Sequence, residues 1–114
     1  MLDERRAERN QLIYHLKVYN EDTGWPIGYL YDLTVDGAKL LTEEQLSADE
    51  VLHLVVKLPD GLYKDPYIRL KAKPVWHHDG DRRHYHDYGF QFINLEFHEK
   101  VRISEFIEEF GVAI

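Results

Sequence analysis

The sequence contains no cysteine among its 114 residues, so disulfides and thiolate metal sites are excluded. It has no apolar run long enough to cross a membrane, and its charged N-terminus lacks the apolar core of a secretory signal. We therefore expect a cytoplasmic protein. A glycine-flanked nucleophilic serine and a phosphate-binding P-loop are also missing, and no carboxylate is singled out by its neighbours. We do not expect an enzyme.

The composition fits one globular domain over residues 1–114. Hydrophobic residues make up 44% of the chain and aromatic residues 13%, which is enough for a packed core. The formal net charge of −7 argues against sequence-independent binding to DNA or RNA, because attraction to phosphate supplies most of that affinity. A small anionic ligand remains possible, since a local group of arginines can outweigh distant acidic residues once salt screens them.

Residue alternation and turn signals predict a mostly β protein. Ile68, Leu70 and Ala72 alternate with charged residues, which is typical of a half-buried strand, and Pro74 indicates a bulge or an edge position in that strand. Asp36–Gly37 is a hairpin turn signal. Strands are predicted over residues 12–20, 27–33, 38–41, 50–58, 67–77 and 84–95.

The end of the chain changes period and predicts a helix. Ile103, Phe106, Ile107 and Phe110 form one apolar stripe on a helix over 96–110. Earlier, Thr42 and Gln45 have the spacing of a cap for one helical turn. About six strands followed by one helix predict an all-β fold, a small antiparallel barrel with a C-terminal α-helix, because the connections are too short for crossover helices.

Two groups of polar residues are candidates for ligand binding. Arg5 and Arg9 lie four residues apart before the first strand, and the segment DLTVDG follows at a strand–turn–strand junction. Asp32 and Thr34 point to the same face if that segment is extended. Arginines bind phosphate oxygens and the O6/N7 edge of guanine, so the set fits a guanine nucleotide better than it fits a catalytic site.

With these residues identified, the sequence resembles the PilZ domains. Their signature is R-x-x-x-R near the start, matched by Arg5 and Arg9, followed by D/N-x-S-x-x-G, matched by Asp32, Thr34 and Gly37 with threonine in place of serine. The segments YGFQF (88–92) and PVWH (74–77) resemble later strands of the family, which also has a final amphipathic helix. The resemblance therefore covers nearly the whole chain.

The resemblance implies a bacterial receptor for cyclic di-GMP on a six-stranded, Greek-key-like barrel, with a flexible arginine-bearing segment over 1–10 that closes on the ligand. Arg5 and Arg9 would contact phosphate and guanine, with Arg6 adding long-range attraction. Asp32 would accept from guanine N–H groups, and Thr34 would donate to a phosphate or hold the turn. Gly37 would allow a backbone conformation closed to residues with a Cβ.

The resemblance also implies a downstream protein partner in motility, polysaccharide export or pili. No cofactor is expected besides the ligand, cyclic di-GMP. A PilZ-like module that has lost nucleotide affinity and only docks onto a partner is the alternative function.

Other interpretations of single residues remain open. Terminal arginines often form a solvated tail, and Asp32 and Thr34 could simply stabilise a hairpin turn. Trp76 could stack on a guanine or belong to the core or its rim.

The histidines around 77–86 allow a different hypothesis. If the hairpin turn centres on Gly80–Asp81, His77 pairs with His84, and His86 lies on the same face. Three converging imidazoles could bind zinc or nickel. The alternative is a solvated polar hairpin, and we assign no metal site from the sequence.

Overall fold

The computed structural model describes residues 10–47, 50–79 and 85–113, with the backbone alone for 10–14 and 112–113. Its elements are Asn10–Asn20 (β1), Pro26–Leu33 (β2), Gly37–Thr42 (β3), Leu52–Lys57 (β4), Tyr67–Asp79 (β5), His86–Phe92 (β6), Phe97–Phe110 (α1) and Gly111–Ala113 (β7). The six predicted strands and the predicted helix are therefore present, with their ends shifted by a few residues.

The first six strands form a closed antiparallel barrel. The strand order is β2-β3-β6-β5-β4-β1, and β1 pairs with β2 as well, which joins the two ends of the sheet. Strand β6 pairs with β5 on one side and with β3 on the other, so strands β3 to β6 form a Greek key. The predicted barrel class is confirmed.

Side chains from alternating strand positions and from one stripe of α1 fill the interior. Ile103 and Phe106 of the predicted stripe are buried, while Ile107 and Phe110 are half-buried against the same core. The buried hydrophobic residues of the strands and loops are Leu16, Val18, Leu30, Leu33, Ala38, Leu40, Leu54, Val56, Leu58, Ile68, Leu70, Ala72, Tyr88 and Phe90.

A β-bulge in β5 reverses which residues face the interior. Pro74 pairs with Phe90, but the next pair is Trp76 with Gly89, so β5 contains one extra residue there. Before the bulge the even-numbered residues of β5 point inward, and after it the odd-numbered residues do. The bulge that Pro74 predicted is therefore present.

Two features differ from the sequence-based expectation. Strand β7 was not predicted; it pairs with the start of β1, with Gln11 opposite Val112. The helical turn predicted from Thr42 and Gln45 is wrong, because Thr42 ends β3 and its hydroxyl donates to the Glu44 carbonyl oxygen over 2.8 Å.

Within the part of the chain that the structure describes, no helix combines the length and the apolar character needed to cross a bilayer.

Candidate functional site

A row of residues on the outer face of the barrel brings the predicted site together. Asp32 of β2 pairs with Lys39 of β3, Lys39 pairs with Gly89 of β6, and Gly89 pairs with Trp76 of β5. Asp32 and Trp76 are far apart in sequence, yet only two strands separate them. The barrel therefore places the acidic residue and the aromatic residue in one row of paired positions on its outer face.

The turn after β2 is organised by the hydroxyl of Thr34. Its Oγ1 accepts hydrogen bonds from the backbone N–H groups of Asp36 and Gly37, each over 3.1 Å. The Thr34 N–H donates to the Gly37 carbonyl oxygen over 2.9 Å, which closes the four-residue turn. Thr34 therefore holds the turn, as one of its two predicted roles requires.

Gly37 is required for a different reason from the one the family resemblance implied. Among the described residues, the glycines with positive φ are Gly24 and Gly61, so Gly37 does not use a left-handed conformation. A Cβ built on Gly37 would instead lie 2.2 Å from the backbone oxygen of Phe90. The close approach of β6 excludes a side chain at this position.

Gly89 allows Trp76 to lie across β6. A Cβ on Gly89 would fall 2.2 Å from the indole Nε1 of Trp76, so the ring occupies the space that a side chain would fill. The Lys39 Nζ lies 5.5 Å from the centroid of the Trp76 ring, within the range of a cation–π contact. Trp76 itself is 42% exposed, which leaves part of the indole open to a ligand.

These residues surround a cavity of about 310 Å³ that opens to solvent. It is lined by Asp32, Thr34, Asp36, Gly37, Ala38, Lys39, Val75, Trp76, Gly89, Phe90 and Gln91. Four predicted site residues therefore share one cavity. Sequence analysis missed Lys39, Gly89 and Gln91, which only strand pairing brings here. Arg5, Arg6 and Arg9 lie outside the described residues.

The charges at this cavity are mixed. Asp32 is 3% exposed, whereas Asp36 is exposed. Among the described residues that line the cavity, Lys39 is the single cation. The barrel itself thus contributes carboxylates, a hydroxyl and an indole, and it needs further cations to bind a doubly charged anion.

A larger cavity of about 830 Å³ lies elsewhere, and the described residues that line it differ from those that line the first. It runs between the first turns of α1 and strand β5. Arg102 crosses it, donating to the carbonyl oxygens of Tyr67, over 2.7 Å, and of Asp65. Burial raises the pKa of the neighbouring Glu99 carboxyl. These hydrogen bonds from Arg102 hold the loop before β5. Both acidic and basic side chains line the rest of the cavity.

The predicted histidine pairing is wrong. His77 pairs with Tyr88, and His86 lies opposite Asp79, because the observed pairs centre the hairpin two residues later than Gly80–Asp81. His84 lies outside the described residues. His77 and His86 do converge, together with Asp79, on the inward face of the hairpin beyond the barrel end.

Comparisons with known proteins agree with the fold. The family model described as the PilZ domain matches residues 3–109. Bacillus subtilis MotI/DgrA, titled an inhibitor of motility, superposes with a TM-score of 0.75 at 14% identity, over 95% of this chain and 51% of that one. Escherichia coli YcgR in complex with c-di-GMP gives a TM-score of 0.70 at 17% identity, over 95% and 46%.

A third solved structure, the MrkH–c-di-GMP complex of K. pneumoniae, gives a TM-score of 0.67 at 21% identity, over 96% of this chain and 53% of that one. The chain thus spans about half the length of these proteins. At such identities the likeness shows the fold alone. A comparison with curated proteins gives no significant match.

Proposed function

This chain belongs to the PilZ domain family, and from that premise we propose that it is a receptor for cyclic di-GMP and not an enzyme. The observation that carries the proposal is the cavity lined together by Asp32, Thr34, Gly37 and Trp76. These residue types recognise the parts of that ligand, since a carboxylate accepts from guanine N–H groups and an indole stacks on a purine.

The start of β1 supports a role for the arginines at this cavity. Asn10 pairs with Leu33 and Gln11 with Asp32, so β1 begins directly beside the acidic residue. Arg9 precedes Asn10, and adjacent Cα atoms are about 3.8 Å apart. Arg5 is five residues from Asn10, a span of at most roughly 18 Å. Both arginines are therefore tethered within reach of a ligand held at Asp32.

Each residue then has a role in the proposed complex. Arg5 and Arg9 bind phosphate oxygens and the O6/N7 edge of guanine, and Arg6 adds positive potential. The Thr34 oxygen accepts two N–H groups, and its hydroxyl donates to the Gly37 carbonyl oxygen in a long hydrogen bond of 3.4 Å. A phosphate oxygen that accepts this proton would replace that long hydrogen bond.

The signal would pass to a protein partner. Binding at the cavity joins β2, β3, β5 and β6 to one ligand beside the start of β1, so the surface around the cavity changes when the ligand is present. We infer that a component of a motility, polysaccharide or pilus system recognises that surface, in the cytoplasm of a bacterium.

Isothermal titration calorimetry with cyclic di-GMP tests the arginine role. A charge-assisted hydrogen bond contributes about 1.5–3 kcal/mol, so Arg9→Ala should weaken binding by roughly ten- to a hundredfold. The matched control is Arg69→Ala, which removes the same charge from an exposed side chain paired with Glu21 over 3.4 Å. That variant should bind as the wild type does.

Two outcomes count against this proposal. If Arg9→Ala and Arg69→Ala weaken binding equally, the arginines act only through net charge. If the wild type gives no heat with cyclic di-GMP at high micromolar concentration, the chain is a PilZ-like docking module without nucleotide affinity.

A further inference from the structure

The hairpin of β5 and β6 continues beyond the point where β5 leaves β4, and it carries three potential metal ligands on one face. Pairing of β4 with β5 ends at Ala72, whereas pairing with β6 continues to Asp79 opposite His86. After the bulge, His77 and Asp79 point to the same side as Tyr88 and His86. Beyond the end of the barrel, the side of the hairpin that continues the barrel's interior face is therefore polar and open to solvent.

The three donor atoms are close enough to bind one ion. The Asp79 Oδ1 lies 3.0 Å from His77 Nε2 and 2.8 Å from His86 Nδ1. The two nitrogens are 3.3 Å apart. Ligand atoms about 2.0–2.1 Å from a tetrahedral zinc ion are separated by roughly 3.3 Å. A metal ion above the plane of this triangle can therefore reach all three atoms at ligand distance.

The ring of His77 is held in place before any ion binds. It stacks on Tyr88 with the ring centroids 4.4 Å apart and an angle of 9° between the planes. Tyr88 is 2% exposed, and its hydroxyl accepts from the Leu46 N–H over 2.7 Å and donates to the Leu46 carbonyl oxygen over 3.3 Å. A fixed ligand loses little entropy on binding, which favours metal affinity.

The site is also reachable from solvent. The histidine side chains are 30% and 26% exposed, and that of Asp79 is 73% exposed, so an ion can enter.

We propose that His77, Asp79 and His86 form a binding site for a divalent transition-metal ion, with zinc the best match. Two imidazole nitrogens and one carboxylate suit zinc and the neighbouring first-row transition metals, whereas Mg²⁺ and Ca²⁺ require oxygen ligands. Three protein ligands leave a coordination position open to water or to a group from a partner.

The metal site is independent of the proposed nucleotide site. Trp76 and His77 are adjacent in the chain but belong to opposite faces of β5, and none of the three metal ligands lines the cavity at Asp32. Loss of cyclic di-GMP binding would therefore leave the zinc proposal standing, and the reverse also holds.

Calorimetric titration of the whole chain with zinc chloride tests the proposal. The wild type should bind one zinc ion per chain, and cobalt(II) at the same site should give the intense visible absorption of a four-coordinate ion. Loss of a residue that only hydrogen-bonds to a metal ligand already weakens metal affinity by about 10–100-fold. His86→Ala and Asp79→Asn, which remove a ligand itself, should each lower the zinc affinity by on the order of a hundredfold or more. Asp79→Asn keeps the side-chain shape and guards against misfolding.

His78→Ala is the matched control, because His78 is exposed on the other face of the same strand, opposite Asp87. It should bind zinc as the wild type does. The proposal is overturned if the wild type gives no zinc heat at high micromolar concentration. It is equally overturned if His86→Ala and Asp79→Asn retain wild-type affinity, or if His78→Ala loses as much affinity as they do.

Discussion

Replacing Asp32 with alanine is expected to lower the affinity for cyclic di-GMP by about a hundredfold or more. The carboxylate has two acceptor oxygens, and guanine presents neighbouring N–H donors. Two charge-assisted hydrogen bonds together contribute about 3 kcal/mol at the low end, which corresponds to roughly two decades in the dissociation constant. Calorimetric titration measures the change, and thermal unfolding shows whether the buried position tolerates alanine.

Asp36→Ala is the control for Asp32→Ala, because both variants lose one negative charge from the same cavity. Asp36 is exposed in the turn, so its removal should leave cyclic di-GMP affinity unchanged or raise it by reducing repulsion of the phosphates. Asp32→Asn preserves the shape of the buried side chain and should still lose at least about tenfold. Equal affinity of Asp32→Asn and the wild type would rule out base recognition by this carboxylate.

Replacing Gly37 with valine is expected to destabilise the fold by about 3 kcal/mol, the cost of forcing a side chain into a packed position. The added Cβ would lie 2.2 Å from the Phe90 carbonyl oxygen, and this neighbour is backbone in a paired strand that cannot rotate away. The turn and β6 must therefore separate. The melting temperature should fall by about 10 °C or more in a thermal unfolding experiment.

Gly24→Asn is the comparison for Gly37→Val. A Cβ at Gly24 would meet no atom of the described residues within 4 Å, and asparagine tolerates its left-handed backbone at φ 78°. The free energy of unfolding of that variant should fall by no more than about 1 kcal/mol. If the melting temperature of Gly37→Val equals or exceeds that of Gly24→Asn, the close approach of β6 to the turn is not what requires a glycine.

Local patterns were sufficient to predict strands β1 to β6 and the helix. The alternation around Ile68 and Leu70, the turn at Asp36–Gly37 and the helical stripe ending at Phe110 each depend on neighbours in sequence, and each is confirmed. The predicted residues Asp32, Thr34, Gly37 and Trp76 do line one cavity. Periodicity and turn chemistry act within a few residues, which is why they can be recognised in a single sequence.

Features that depend on strand register could not be predicted. The bulge after Pro74 changes which residues face inward, and the hairpin is centred two residues later than Gly80–Asp81, so His77 lies beside Tyr88 and not beside His84. Gly89 looks like an ordinary strand glycine until Trp76 is placed against it. Strand β7 is too short to show a period, and it forms only because α1 returns the chain to β1.

The most direct test of the account is an NMR titration with cyclic di-GMP that follows backbone amides and the Trp76 indole. We expect the largest shifts at Asp32, Thr34, Gly37 and the Trp76 indole N–H, together with the amides of Arg5 and Arg9. The larger cavity beside α1 offers a clear alternative location. Shifts concentrated around Arg69 and Arg102, with the DLTVDG turn unchanged, would contradict the account.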